Sequence, residues 1–178
     1  MADEKNDKWL NYLALTTVIL AVCATLSTFK GGGYSTKAVL SQTQASDQWA
    51  YYQAKSIKGY VYEIQRDNLE LDLKTMGSKA SQSLTDEYTG KIDSYKKKIN
   101  KYDEEKAQIE KDARKFESLK DDALKHSQAF HLAVIFLQVS ILLSSIAALM
   151  KKKYVWIMGL ATGIAGVIYF VNGFFTVF

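Results

Sequence analysis

Three long stretches without a single Asp, Glu, Lys or Arg constrain this chain more than any other feature: residues 9–29, 129–150 and 154–178. A helix of about 20 residues is needed to cross the roughly 30 Å hydrocarbon core of a bilayer, and each stretch has that length. Between the first and the second lies a long polar segment, residues 30–128. The pattern predicts three transmembrane helices with one large insert outside the membrane.

The charged residues are concentrated in that insert. It holds 18 of the 23 basic and 16 of the 19 acidic residues, so it is close to neutral. Three of the remaining lysines form a basic loop, residues 151–153, between the second and third apolar stretches. That placement is typical of a topology signal at lipid headgroups rather than of a phosphate-binding surface. We therefore expect the lipid bilayer, and no nucleic acid, as a partner.

The lysines also predict an orientation. The polar tail, residues 1–8, and the loop at residues 151–153 would share one side of the membrane. By the positive-inside rule that side is cytoplasmic. The insert and the C-terminus would then lie outside, in the periplasm of a bacterium.

The chain has no proline in 178 residues, although average usage would supply about nine. Because proline breaks helices, its absence favours long uninterrupted ones. Glycines 31–33 would end the first transmembrane helix and make a hinge at the membrane surface, since consecutive glycines destabilise a helix.

The insert divides into two helical arms. From about residue 36 to residue 76, Ile57, Tyr60, Ile64 and Leu71 recur at helical spacing, with Ala50 in the same register. Small and polar residues at 77–83 then predict a turn. The two arms have about 45 residues each, which corresponds to roughly 60–70 Å of helix. Equal lengths favour an antiparallel hairpin.

The second arm has the clearest periodicity in the chain. Apolar residues alternate steps of four and three, as in a coiled coil, with lysine at two positions. The members of this row are Tyr88, Ile92, Tyr95, Ile99, Tyr102, Lys106, Ile109, Ala113, Phe116, Lys120 and Ala123. The predicted fold is thus an all-α membrane protein, with three transmembrane helices and a long extramembrane antiparallel coiled-coil hairpin between the first and second.

The most distinctive string is ASDQWAYYQAKSIK at residues 45–58, preceded by Ser41 and Gln42. It resembles the signature of an uncharacterised bacterial membrane family, domain of unknown function 4337. The order of segments is similar over nearly the whole chain: a lysine-rich N-terminus, one span, this string, a charged helical middle and two closing spans. The resemblance implies an integral protein of the bacterial inner membrane. It implies no activity, substrate or catalytic residue.

Five residues of this string are candidates for an interaction surface: Asp47, Gln48, Trp49, Tyr51 and Tyr52. Helical spacing puts Trp49 and Tyr52 on one face and turns the other three elsewhere. The aromatic rings either pack against the returning arm, near Phe116, Leu119 and Leu124, or anchor a neighbouring subunit, as Trp and Tyr often do.

A second set of candidates concerns helix packing inside the membrane. Gly159, Gly163 and Gly166 allow helix backbones to approach closely, either within one protomer or between protomers. Gln138 and Asn172 are costly to bury in lipid, so each is expected to make an interhelical hydrogen bond. The alternative is that these two polar residues line a pore, although pathways usually contain ionisable groups.

Reactive chemistry has little support in this sequence. Cys23 is the one cysteine, so no intrachain disulfide or cysteine metal cluster can form. Leu20–Cys23 is loosely like a lipoprotein cleavage box, but Val22 stands where a small residue is usual. His126 and His131 are about 140° apart around a helix, which does not suit a paired metal site. No phosphate loop, G-x-S-x-G or H-E-x-x-H occurs.

We therefore expect no enzymatic activity, cofactor or bound metal. The favoured function is a membrane scaffold or accessory subunit that forms a homo-oligomer through the hairpin and the third span, or that serves an unidentified membrane-protein partner. The alternative is an oligomeric channel or transporter component, with the hairpins as a collar. A sensor that transmits a periplasmic signal ranks last, because little cytoplasmic chain exists to receive it.

Overall fold

The computed structural model describes the backbone of residues 2–77 and 81–177 and the side chains from residue 8 onward. It is all-α, with α1 spanning Ala2–Met76, α2 Gln82–Met150 and α3 Lys153–Phe175. The two long helices pack against each other, as the sequence predicts. Each of the three helices includes a segment long and apolar enough to cross a membrane.

The expected helix ends at the N-terminus and at glycines 31–33 are absent. Helix α1 begins at Ala2, where a polar tail was predicted, and it continues through all three glycines. A Cβ at Gly31 would lie only 3.1 Å from Phe130 Cβ on α2, whereas Gly32 and Gly33 face open space. The helix survives because close packing at Gly31 offsets the low helix propensity of glycine. Gly31 thus serves helix contact instead of a hinge.

Two turns connect the helices. Gly77 follows α1 with φ +51°, the left-handed conformation that glycine adopts readily at a helix end. Ser81 precedes α2 and its Oγ accepts a hydrogen bond from Leu84 N at 3.3 Å, as an N-cap does. Residues 78–80 of the turn predicted at 77–83 lie outside the described residues. Between α2 and α3, Lys151 turns the chain with φ +53°.

The chain folds as two compact units. We call Met1–Leu40 together with Leu119–Phe178 the apolar unit, and Ser41–Ser118 the polar unit. The apolar unit contains parts of α1 and α2 and all of α3. Its core has two buried clusters, one of Leu20, Ala24, Ala133 and Leu137 and the other of Trp9, Leu13 and Ala147.

In the polar unit, contacts between α1 and α2 occur in opposite order along the two helices. Trp49 meets Glu117, Lys55 meets Glu105, and Tyr62 meets Tyr95. The helices are therefore antiparallel. On α2, the row predicted from the sequence is buried or half-buried at every position from Tyr88 to Phe116.

On α1, the residues that face α2 are not the apolar residues that recur in the sequence. The inner row, which is buried or half-buried, consists of Ser41, Ala45, Gln48, Tyr52, Lys55, Gly59, Tyr62, Arg66, Leu69 and Leu73. The outer row, which is exposed throughout, consists of Ala50, Ala54, Ile57, Val61, Ile64, Asn68 and Leu71. At Gly59 of the inner row, the absent side chain leaves room for Tyr102 of α2. The branched residues of α1 lie on the exposed outer row instead.

Candidate functional site

The structure divides the predicted interaction surface between two faces of α1. Trp49, Tyr52 and Gln48 are half-buried, whereas Asp47 and Tyr51 are exposed. Gln48 therefore lies on the face toward α2, whereas helical spacing predicts that it faces away from Trp49 and Tyr52. Only Asp47 and Tyr51 of the five remain open to a partner.

Trp49 contacts two polar groups of α2. Its Nε1 donates a hydrogen bond to Glu117 Oε1 at 2.9 Å, and the guanidinium of Arg114 lies 5.9 Å from the centre of its ring. These two residues flank Phe116, which was one of the expected contacts. On α1 itself, Tyr52 packs edge-on at 5.6 Å between ring centroids. Trp49 therefore ties the two helices together.

Nearly two helical turns beyond Trp49, Lys55 forms the shorter of the two ion pairs that join α1 and α2 among the described residues. Its Nζ lies 2.6 Å from Glu105 Oε2, and 5.2 Å and 5.4 Å from the ring centres of Tyr51 and Tyr102. The hydrogen bond to Glu105 raises the pKa of Lys55, and the same bond lowers the pKa of Glu105. The amine is consequently protonated at neutral pH, which suits a structural ion pair and does not suit a lysine nucleophile.

A cluster of tyrosines continues the contact between the arms. The ring of Tyr62 lies 5.5 Å from that of Tyr95 and stacks on Tyr102 at 5.9 Å. Lys98 Nζ lies 4.6 Å from the centre of the Tyr62 ring, in the geometry of a cation–π contact. Aromatic rings and lysines thus alternate through this interface, and each contact between them restricts the spacing of the two helices.

In the apolar unit, the predicted glycines of α3 lie against α2. A Cβ at Gly159 would be 3.2 Å from Ser140 O, one at Gly163 2.8 Å from Ser140 Oγ, and one at Gly166 2.8 Å from Leu137 Cγ. Ser140 Oγ also donates to Gly159 O at 2.5 Å. This glycine face is therefore occupied within the protomer and is not open to a second protomer.

The two polar residues predicted to bond between helices have different environments. Asn172 is buried, and its Oδ1 accepts a hydrogen bond from Val177 N at 2.8 Å beyond the end of α3. Gln138 is exposed on α2. Its position on the helix, one turn from Ile135 and Leu142, directs it outward with those apolar side chains.

The same unit contains a partly buried polar cluster that the sequence does not predict. His126 stacks on Tyr34 with ring centroids 4.5 Å apart, and its Nδ1 donates to Gly173 O at 2.8 Å. Nearby, Ser127 Oγ lies 2.7 Å from Ser35 Oγ and donates to Gly31 O at 3.2 Å. Small hydroxyls at the ends of apolar stretches are the one sequence signal for such a cluster.

The groups described above are paired with one another rather than gathered around a vacant centre. Among the described residues, no group of three or more His, Cys, Asp or Glu side chains is placed to hold a metal ion. The arrangement is suited to holding helices in a fixed register.

The chain matches the model of a protein family. The family model described as domain of unknown function (DUF4337) matches residues 9–176. No curated protein and no solved structure matches the chain.

Proposed function

Since this chain belongs to the family described as domain of unknown function (DUF4337), we propose from its architecture that it is a non-enzymatic integral membrane scaffold or accessory subunit that associates with copies of itself. The proposal has two parts: insertion of the apolar unit into a bilayer, and use of the polar unit for interaction.

The distribution of polarity in the apolar unit carries the first part. Four of its six serines are buried, namely Ser27, Ser127, Ser140 and Ser144, while large apolar side chains are exposed on all three helices. Examples are Ile19 and Val22 on α1, Leu142 on α2, and Ile164 and Ile168 on α3. In water the hydrophobic effect would favour the reverse. In lipid, apolar side chains face outward without cost and polar groups turn inward to bond to one another.

The basic loop supports an orientation. Lys151, Lys152 and Lys153 are all exposed between α2 and α3. By the positive-inside rule, this loop and the N-terminus lie in the cytoplasm, and the polar unit and the C-terminus lie on the other side. In a bacterial inner membrane that side is the periplasm.

The polar unit supports a structural role. Several of its partly buried charged and aromatic groups make contacts across the two helices: Trp49 with Glu117, Lys55 with Glu105, and Tyr62 with Tyr102. Such contacts stabilise a defined helix pair and leave those groups unavailable for catalysis. A stable helix pair outside the membrane is the kind of element that holds a partner at a set distance.

The test is the mass of the complex extracted gently from native membranes, with identification of every co-purifying chain. We expect a discrete multiple of 20.0 kDa, with or without a second protein in fixed ratio. Chemical cross-linking in native membranes provides the second readout. A monomer by both methods, without a partner, would contradict the proposal.

A channel or transporter component is the second candidate, and the exposure of Gln138 favours it. An amide that faces lipid is costly, and it becomes acceptable where protomers enclose water. In a Cys23→Ala background, Gln138→Cys tests this, with Val139→Cys as its control, because Val139 is exposed at the same depth but about 100° further around α2. Reaction of residue 138 alone with a membrane-impermeant thiol reagent supports a lumen. Protection of both positions indicates lipid or protein packing.

A further inference from the structure

We propose that a second copy of this chain docks in parallel on the outer row of α1, so that two α1 helices form the centre of a four-helix assembly. The inference rests on the proposed self-association and identifies the surface responsible. The predicted self-association through the glycine face of α3 is not retained, because α2 of the same protomer already packs against that face.

The outer row is an apolar seam that the protomer leaves exposed. From residue 50 to residue 71 its members alternate steps of four and three without a break. Ile57, Ile64 and Leu71 are 62%, 61% and 62% exposed. The 22 residues correspond to about 33 Å of helix. A contiguous apolar row of this length is a mark of an interaction surface.

The chemistry of the row fits a parallel pair of identical helices. In heptad notation, Val61 and Asn68 take a positions, and Ile57, Ile64 and Leu71 take d positions. Ala50 and Ala54 complete the row at a d and an a position. The Ile residues at d are equally suited to a larger parallel bundle, so a specific pair is favoured only by the single Asn at an a position, which specifies register and oligomer state. The two copies of Asn68 would then bond to each other across the twofold axis.

The two faces of α1 explain why the occupant is another α1. The inner row packs against α2, and the outer row follows the same alternation of steps on the opposite side of the helix. In a parallel twofold pair, every member of the row meets its own copy, so the surface is self-complementary without any further partner. Chains anchored in one bilayer would also run their α1 helices in the same direction.

Anchoring compensates for the small size of the seam. Three heptads bury less surface than a typical stable interface between soluble proteins. Two chains confined to one membrane meet at a raised effective concentration, so a short seam is sufficient.

The charges beside the row allow the direction of pairing to be tested. In a parallel pair, Asp67 of one copy lies near Asp72 of the other, which is unfavourable. This repulsion is reduced because Arg66 Nη2 lies 2.7 Å from Asp67 Oδ1. In an antiparallel pair, Asp72 would instead lie near Lys58 of the other copy. Asp72→Lys therefore has opposite effects on the two arrangements.

The first experiment is disulfide cross-linking in native membranes in a Cys23→Ala background. We expect Ile64→Cys to give a covalent dimer under mild oxidation, because equivalent d positions approach within disulfide distance in a parallel pair. The matched control is Lys97→Cys, an exposed site on the outward face of α2, which should remain monomeric. A monomer at residue 64, while the extracted complex keeps a mass that is a multiple of 20.0 kDa, would overturn this inference and leave the proposed function intact. A monomeric complex of the unmodified chain would overturn both.

The second experiment compares three exposed substitutions by sedimentation of the purified protein in detergent. Ile64→Lys should abolish association, and Asn68→Leu should tighten it because it removes a buried amide. Asp72→Lys should tighten it about three- to tenfold, as expected for two new ion pairs that replace a repulsion. Weaker association of Asp72→Lys would overturn parallel docking. Unchanged association of Ile64→Lys would overturn the choice of surface.

Discussion

The two units of this chain hold their helices together by different means. In the apolar unit, α2 and α3 touch where side chains are missing or small, as at Gly166 and Ser140. In the polar unit, α1 and α2 are linked by large polar side chains, as in the Lys55–Glu105 ion pair and the Trp49–Glu117 hydrogen bond. The first mode depends on backbone proximity and the second on the reach of long side chains.

This difference is the one expected when the apolar unit lies in lipid and the polar unit in water, as proposed above. In lipid, burial of apolar surface gives no driving force between helices, so association depends on close van der Waals contact and hydrogen bonds. In water, aromatic rings and aliphatic stems of lysine gain stability when they are buried. A helix pair in water therefore tolerates a wider spacing that large side chains fill. The two units should respond in opposite ways to added volume at a glycine.

The largest expected effect is that of Gly166→Val in the apolar unit. A Cβ at this position would lie 2.8 Å from Leu137 Cγ and 3.0 Å from Leu137 N, which is backbone and cannot rotate away. We expect a loss of about 3 kcal/mol, at the upper end of the usual cost of overpacking. The measurement is the thermal unfolding midpoint in detergent by circular dichroism. The control, Gly32→Val, faces open space and should change the midpoint little. Equal losses for both variants would contradict the close-packing account.

A contact between helices can be predicted from this sequence where apolar side chains form it, and not where small or charged side chains do. The α2 row is predictable because its Ile, Tyr and Phe residues stand out against charged neighbours. The inner row of α1 is not predictable in this way, because Ala45, Lys55 and Gly59 give no hydrophobic signal. The apolar periodicity of α1 reports the outer row instead, which faces away from α2.

The site residues show the same limit. The spacing of Gly159, Gly163 and Gly166 identifies a close-packing face, but it does not say whether the partner helix belongs to the same protomer. Local propensity at glycines 31–33 predicts a hinge, and a tertiary contact of Gly31 with Phe130 overrides it. Such outcomes depend on contacts between distant parts of the chain, which residue spacing alone does not specify.

The next largest effect is expected for Trp49→Phe in the polar unit. The substitution keeps an aromatic ring beside Tyr52 but removes the Nε1–H that bonds to Glu117. We expect a loss of about 1–2 kcal/mol, since the acceptor is charged and partly buried. Thermal unfolding measures it, with Tyr60→Phe as the control because Tyr60 is exposed, keeps its ring near Lys106 in the variant and should change stability by less than about 0.5 kcal/mol. A Trp49→Phe value within that range would show that the hydrogen bond contributes nothing measurable.

A smaller effect of opposite sign is expected for Gly59→Ala in the polar unit. Gly59 is buried, yet a Cβ there would lie 3.9 Å from Tyr102 Cβ, an ordinary van der Waals distance. We expect a gain of about 0.5–1 kcal/mol, because alanine loses less conformational entropy than glycine in a helix. The thermal unfolding midpoint is measured for Gly59→Ala and for Gly166→Ala. It should rise in the variant at residue 59 and fall in the variant at residue 166. A fall at both positions would mean that the polar unit is packed as tightly as the apolar one.

The smallest expected effect is the pH dependence of the Lys55–Glu105 ion pair. Because Lys55 lowers the pKa of Glu105, the pair stabilises the protein above the ordinary carboxyl pKa of 4.5, and this contribution is lost as pH falls through the lower folded pKa. The raised pKa of Lys55 adds a second limit, since its contribution is lost above the ordinary value of 10.5.

The difference in unfolding midpoint between the unchanged chain and Glu105→Gln should therefore be largest near neutral pH and shrink toward both extremes. Glu87→Gln is the control, because Glu87 pairs with Lys91 one turn away on the same helix and its pKa is lowered by that bond. An ion pair within one helix does not link α1 to α2, so its removal should change the midpoint less. If the two variants gave equal pH profiles, the contact between the arms would depend on its aromatic rings and not on this ion pair.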